Sequence, residues 1–280
     1  LNGTGEIKVY TIINTLGSLI SLLFTLTLVY FYKLQGALHA LVFSQSIVFF
    51  LTASLLAKCK WFTLTYFNQI FNKTIANKLS HYSLMAIISA LTVPVSQIIL
   101  RNLIISKLGV NSAGYWQGLM RISDGYLMLI TTALSTYYLP KLSSLKTSTE
   151  LRSEIFKGYK IILPSVFIGC VIIYFLRFFI IEILYTPDFL SMENLFFWQL
   201  VGDFFKMAAW ILGYLMLAKA STKLFILTEI IFSLSYIALG YIFISYFNLK
   251  GVVMAFSLNY FMCFIVMLII FRKLLFKNHL

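Results

Sequence analysis

Of the 280 residues, 60% are hydrophobic and only 11% are charged, and the mean hydropathy is +0.91. This excludes an ordinary soluble domain, because uncharged apolar runs recur at roughly the 20 residues that a helix needs to cross a bilayer. The net charge of +13 would suggest a nucleic-acid partner in a soluble chain. Here the basic residues cluster between the apolar runs, so a membrane accounts for them and no nucleic acid is expected.

The fold class expected is all-α, a polytopic membrane helix bundle with eight spans. In chain order they cover residues 9–32, 37–57, 82–105, 113–139, 159–181, 194–217, 224–247 and 252–271, spans A to H. Loops holding Lys58, Lys60, Lys73, Lys78, Lys141, Lys146, Lys219, Lys223, Arg272 and Lys273 fall on one face. The opposite loops carry Lys33, Lys107 and Lys250, with Glu182, Asp188 and Glu193. The bias of Lys and Arg towards cytoplasmic loops makes the first face cytoplasmic, and both chain ends with it.

Two basic-side loops are amphipathic. Between residues 58 and 81, Phe67, Phe71, Ile75 and Leu79 alternate with Lys73 and Lys78, as suits an interfacial linker helix. After Pro140, Thr147-Ser148-Thr149-Glu150 has the capping-box pattern and predicts a short amphipathic helix leading into span E.

An internal repeat is also legible. Tyr32-Lys33-Leu34-Gln35-Gly36-Ala37-Leu38-His39-Ala40 aligns with Phe247-Asn248-Leu249-Lys250-Gly251-Val252-Val253-Met254-Ala255, and the same offset sets Lys58 on Lys273. Spans A and B then correspond to G and H, the last two helices of a six-helix unit. The domains expected are the end of a first lobe (1–57), a linker (58–81) and a complete second lobe (82–280), eight of twelve spans in two pseudo-symmetric lobes. The chain reads as the C-terminal part of a longer protein.

Charged residues inside spans are costly and mark pathways or paired groups. Span D carries Arg121 and Asp124, and span F carries Asp203 and Lys206, each pair three apart on one helical face. Span C holds Pro94, Gln97 and Arg101, and span G holds Glu229. Each pair either neutralises itself as helix glue or lines a wet cavity. Arg177 is expected to snorkel to the interface. Cys59, Cys170 and Cys263 are isolated, as are His39, His81 and His279, so no metal site or cofactor is expected. Nor does a nucleophile sit beside a base or a glycine-rich loop suggest phosphate binding, so no enzyme is indicated.

Two blocks carry a family resemblance. Gly114-Tyr115-Trp116-Gln117-Gly118-Leu119-Met120-Arg121-Ile122-Ser123-Asp124, continuing through Tyr137-Tyr138-Leu139-Pro140-Lys141-Leu142, resembles the Wzx-type flippases of the multidrug/oligosaccharidyl-lipid/polysaccharide exporter superfamily. So does Trp198-Gln199-Leu200-Val201-Gly202-Asp203-Phe204-Phe205-Lys206, followed by Leu217-Ala218-Lys219-Ala220. The resemblance implies a transporter of the bacterial inner membrane. It would carry undecaprenyl-diphosphate-linked oligosaccharide of O-antigen or enterobacterial-common-antigen type to the outer leaflet by alternating access. It also implies polysaccharide polymerase and chain-length proteins as partners, besides membrane lipids. On this reading Arg121, Lys206, Arg101, Gln97 and Trp116 form the diphosphate and glycan cavity. Asp124, Asp203 and Glu229 balance charge or couple transport to ions. The rival readings are a cation-coupled drug antiporter of the same superfamily and, further off, a membrane polymerase or acyltransferase.

Overall fold

The structure, a computed structural model, describes residues 7–56 and 73–276. Its helices are α1 (Ile7–Leu56), α2 (Lys73–Leu108), α3 (Val110–Ala133), α4 (Leu139–Ser144), α5 (Ser148–Leu184), α6 (Phe196–Ala218), α7 (Thr222–Ile270) and α8 (Arg272–Phe276). A π-helical turn at Leu134–Tyr138 joins α3 to α4, and a 3-10 segment at Pro187–Leu195 precedes α6. Among the described residues there is no strand.

α1 and α7 are each two antiparallel helices. Lys33 (φ 50°, ψ −126°) breaks α1, and Asn248 (φ 52°, ψ −139°) breaks α7. A Cβ on Gly36 would stand 1.9 Å from the Leu28 carbonyl oxygen, and one on Gly251 would stand 2.1 Å from that of Phe243. Eight residues of straight helix span about 12 Å, so both chains double back sharply. Gly17 accordingly meets Val48, and the Tyr236 and Phe256 rings lie 5.8 Å apart. The two repeated segments thus share one turn, residue for residue, and glycine is needed because backbone fills the space of a side chain.

Among the described residues, five helices are long and apolar enough to cross a membrane: α1, α2, α5, α7, and α6 with its 3-10 lead. Counting each hairpin twice gives seven apolar segments; α3 with its continuation to α4, where the sequence places another span, is not among them. The chain divides into two compact units, α1 in one and everything from Lys73 onward in the other.

In the second unit α6 is central, packed most extensively on α7 and next on α5, while α2 packs on α7 and α3. Small residues permit this: a Cβ on Gly202 would meet the Phe256 ring at 2.3 Å, so α6 and the second half of α7 touch there. The Ser257 hydroxyl donates to the Trp198 carbonyl across the same contact. α5 is the reverse case, apolar all round with most of its surface facing outward.

Two predicted boundaries change. Ile75 and Leu79 belong to α2 itself, since nothing from Lys73 to Tyr82 interrupts helical hydrogen bonding; Phe67 and Phe71 lie outside the described residues. The capping box is present, with Glu150 N donating to Thr147 Oγ1 and Thr147 N to Glu150 Oε2, both at 3.3 Å. The helix it starts runs unbroken into span E. At 36 and 37 residues, α2 and α5 are about 55 Å long and exceed a hydrocarbon core of about 30 Å. α2 continues through Pro94. Arg177 lies near the C-terminal end of α5, stacked 4.5 Å from the Tyr174 and Phe178 rings with Glu193 at 3.8 Å.

Candidate functional site

Asp203 is fully buried on α6, facing α3. Its carboxylate accepts from Ser123 Oγ at 2.5 Å, from Tyr126 Oη at 2.8 Å and from Gln199 Nε2 at 3.2 Å. Tyr126 also lies 3.5 Å from Cys170 Sγ on α5, so one carboxylate ties three helices together. A buried charge demands such a set of donors, because water is excluded.

One turn along α6, Lys206 turns to a different partner. Its ammonium lies 3.9 Å from Asp124 Oδ1 on α3 and 5.1 Å from the centre of the Trp210 ring. Its side chain is 11% exposed and that of Asp124 is 52%. The two pairs expected along single helices are therefore replaced by one contact between helices. Residues at i and i+3 share a face, but Asp203 is drawn to the α3 hydroxyls while Lys206 reaches past them to Asp124. Arg121 is exposed on α3 near Tyr185 and makes no ion pair among the described residues.

Lys206 and Asp124 form one wall of a cavity of about 470 Å³ between α2, α3, α6 and α7. Ser89, Ser96 and Gln97 line it from α2, and Glu229, Ser233, Tyr236 and Asn259 from α7. Trp210, Tyr214, Phe232 and Tyr260 supply aromatic surface. Thr92 Oγ1 donates to Glu229 Oε2 at 3.5 Å, and Ser233 Oγ donates to the Thr92 carbonyl at 3.2 Å, so α2 and α7 are pinned beside it. The lining combines a cation, two carboxylates, hydroxyls, carboxamides and ring faces. Such a surface suits an amphiphilic ligand with an anionic or polyhydroxylated part.

Of the residues singled out in the sequence, Gln97, Asp124, Lys206 and Glu229 meet at this cavity. Arg101, Arg121, Trp116 and Asp203 are not in its lining. Trp116, expected in the diphosphate and glycan cavity, is instead 1% exposed in the core, because α3 turns that face to α6 and α7. Arg101 is exposed on α2. Sequence reasoning assigned no role to Ser123, Tyr126 or Gln199, although Ser123 and Gln199 stand in the two blocks that carry the resemblance and Tyr126 lies two residues past the first. It also passed over Asn259, the one carboxamide inside span H.

No protein-family model matches the chain. Over 196 residues, 70% of its length, it is 38% identical to proteins named lipid III flippase from Escherichia coli K12 and Shigella flexneri. The aligned stretch is 47% of each relative, so the chain spans about half the length of the curated relatives it matches. Among solved structures, an outward-facing multidrug resistance MATE family transporter of the MOP superfamily superposes with a TM-score of 0.79. That fit covers 98% of this chain and 64% of the other, at 16% identity. A Vibrio cholerae MATE transporter gives 0.77 over 99% of this chain and 65% of its own, at 12% identity. A MOP superfamily transporter from Pyrococcus furiosus, described as having a binding pocket of reverse polarity, gives 0.74 over 95% and 63%, at 16%. The chain thus has the fold of these transporters, a polytopic helical membrane bundle. The proteins it resembles are flippases and transporters rather than enzymes.

Proposed function

We propose that the protein is a flippase for a lipid-linked oligosaccharide, of the Wzx type. These 280 residues would form the last two spans of one lobe and the whole of a second, within a longer protein of twelve spans. The observation that carries the reading is the 38% identity to two lipid III flippases over 70% of this chain. The cavity supports it physically. A diphosphate needs a cation in a partly dry site, and Lys206 is such a cation, held by an exposed carboxylate that a ligand can displace.

On this reading Lys206 and Gln97 contact the substrate head group, and Asp124 neutralises Lys206 while the site is empty. Glu229 is a candidate for ion coupling. Arg121, exposed on α3, would meet the substrate outside this cavity. We assign no substrate contact to Arg101 or Trp116. The substrate would be an undecaprenyl-diphosphate-linked glycan of O-antigen or enterobacterial-common-antigen type. It would pass from the inner to the outer leaflet of a bacterial inner membrane as the lobes rock, with both ends of this chain cytoplasmic. Polymerase and chain-length proteins would act on the delivered glycan.

The test is delivery of lipid-linked glycan to the outer leaflet in cells lacking their own flippase. Full-length wild type should restore it, and Lys206→Met at equal membrane level should lower it at least tenfold. Undiminished delivery by Lys206→Met refutes the assigned cation. A drug antiporter is the second reading, favoured by the MATE folds that superpose on the chain. Drug resistance without glycan delivery would select it.

A further inference from the structure

Membrane-buried amides without partners are costly, because nothing in hydrocarbon replaces the lost hydrogen bonds. Asn259 is such a residue. It is 4% exposed, its Oδ1 is buried without a hydrogen bond, and it lines the cavity. Gln97 faces the same cavity from α2, and its carboxamide likewise makes no hydrogen bond among the described residues. Neither amide is explained by the packing of the helices that carry them. Thr92, Ser96 and Ser233, by contrast, satisfy their hydroxyls on nearby carbonyls.

Depth brings these groups together. From the helix ends on the Lys107 and Lys250 face, Gln97, Asp124, Lys206, Tyr236 and Asn259 each lie roughly 10 to 14 residues in, about 15–21 Å of helix. The two free carboxamides thus share a level with the cation. A carboxamide offers an acceptor and two donors at fixed spacing, which matches adjacent sugar hydroxyls or an acetamido group. Trp210 and Tyr260 give ring faces in the same cavity for the C–H face of a pyranose.

We propose that Asn259 and Gln97 are the glycan-reading groups of the cavity, binding the sugar next to the diphosphate that Lys206 holds. This rests on the flippase reading and adds to it. Lys206 supplies attraction common to all such lipids, whereas the carboxamides discriminate among their sugars. A site built to hydrogen-bond a sugar rejects an analogue lacking the matching groups, since the buried Asn259 amide would then stay unpaired.

The experiment measures binding to the full-length protein in nanodiscs with two probes. One is undecaprenyl diphosphate carrying a short neutral oligosaccharide, and the other is undecaprenyl diphosphate alone. Asn259→Leu and Gln97→Leu should each weaken the glycan-bearing lipid about tenfold and leave the bare lipid unchanged. Lys206→Met should weaken both. Asn259→Leu should also match or exceed the wild-type melting temperature, because it removes a buried amide that has no partner. A structural role for Asn259 would lower it. Unchanged glycan affinity in both Leu variants overturns the assignment, as does equal loss for the two lipids. If Asn259→Leu does not assemble, Gln97→Leu on the other helix decides. Wild-type protein that binds neither probe overturns the flippase reading itself.

Discussion

Removing the Asp203 carboxylate and merely neutralising it should have opposite consequences. Asp203→Ala leaves the Ser123 hydroxyl, the Tyr126 hydroxyl and the Gln199 amide without their acceptor in a site with no solvent. A stranded buried donor costs about 1–3 kcal/mol in soluble cores, and hydrogen bonds between membrane helices average nearer 0.6 kcal/mol. Three donors together give about 2 kcal/mol on the membrane figure and about 3–9 kcal/mol on the soluble one, so the melting temperature should fall by at least about 4–8 °C for a unit of this size. Asp203→Asn keeps one oxygen for Ser123 and Tyr126 and turns an N–H towards Gln199. The Gln199 Oε1 atom is buried and unpartnered, so a rotation of that amide completes the new bond. The asparagine variant should therefore melt within about 2–4 °C of wild type, a change of about 1 kcal/mol. It should also deliver glycan in the cell assay. Thermal unfolding of detergent-solubilised full-length protein, paired with that assay, measures both. An alanine variant as stable as wild type refutes the three-donor node. A stable asparagine variant that fails to transport refutes a purely structural role and returns Asp203 to ion coupling.

The remaining predictions concern backbone contacts and a cap. Gly251→Ala should block the α7 hairpin, because the new Cβ would lie 2.1 Å from the Phe243 oxygen, and yield of folded protein should fall severalfold; normal yield and melting would refute the turn geometry. Gly202→Ala should separate α6 from Phe256 and cost about 1–3 kcal/mol by overpacking, read as a lower melting temperature. Thr147→Ala should cost about 1 kcal/mol at the exposed start of α5 and raise proteolysis of the preceding loop without altering ligand binding.

The spans were legible because apolar length is a strong signal, and the hairpin repeat because glycine recurs where backbone meets backbone. What Lys33 and Asn248 share was not legible: their side chains differ, and only the structure reveals the common positive φ. The charged residues show the same limit at the site. Spacing of three put Asp203 beside Lys206 on one face, but which neighbour each side chain reaches depends on helix rotation, which spacing leaves open. The Ser123 and Tyr126 hydroxyls claim Asp203, and Lys206 is left for Asp124. Trp116 failed similarly, since an aromatic near a helix end looks the same whether it faces lipid or, as here, α6 and α7. Asn259 was hidden because one amide in an apolar run carries no pattern.

Lys206 stands between two unequal carboxylates, and that inequality makes a further prediction. Asp203 is saturated by three donors and sealed from solvent, so it stays in its place one turn away and does not leave. Asp124 is half exposed, 3.9 Å from the ammonium, and held by no other bond among the described residues. Exposed pairs of this kind contribute about 0.2–1 kcal/mol, whereas a diphosphate brings several charged oxygens to the same ammonium. An arriving diphosphate therefore displaces Asp124, and the departing one is replaced by it. Asp124→Asn removes the competitor and should tighten binding of undecaprenyl diphosphate about two- to fivefold, the equivalent of that pair energy. Turnover should slow in step, because release loses its replacement charge. Weaker binding in this variant would show that Asp124 positions Lys206 rather than competing for it, and partner exchange would fall.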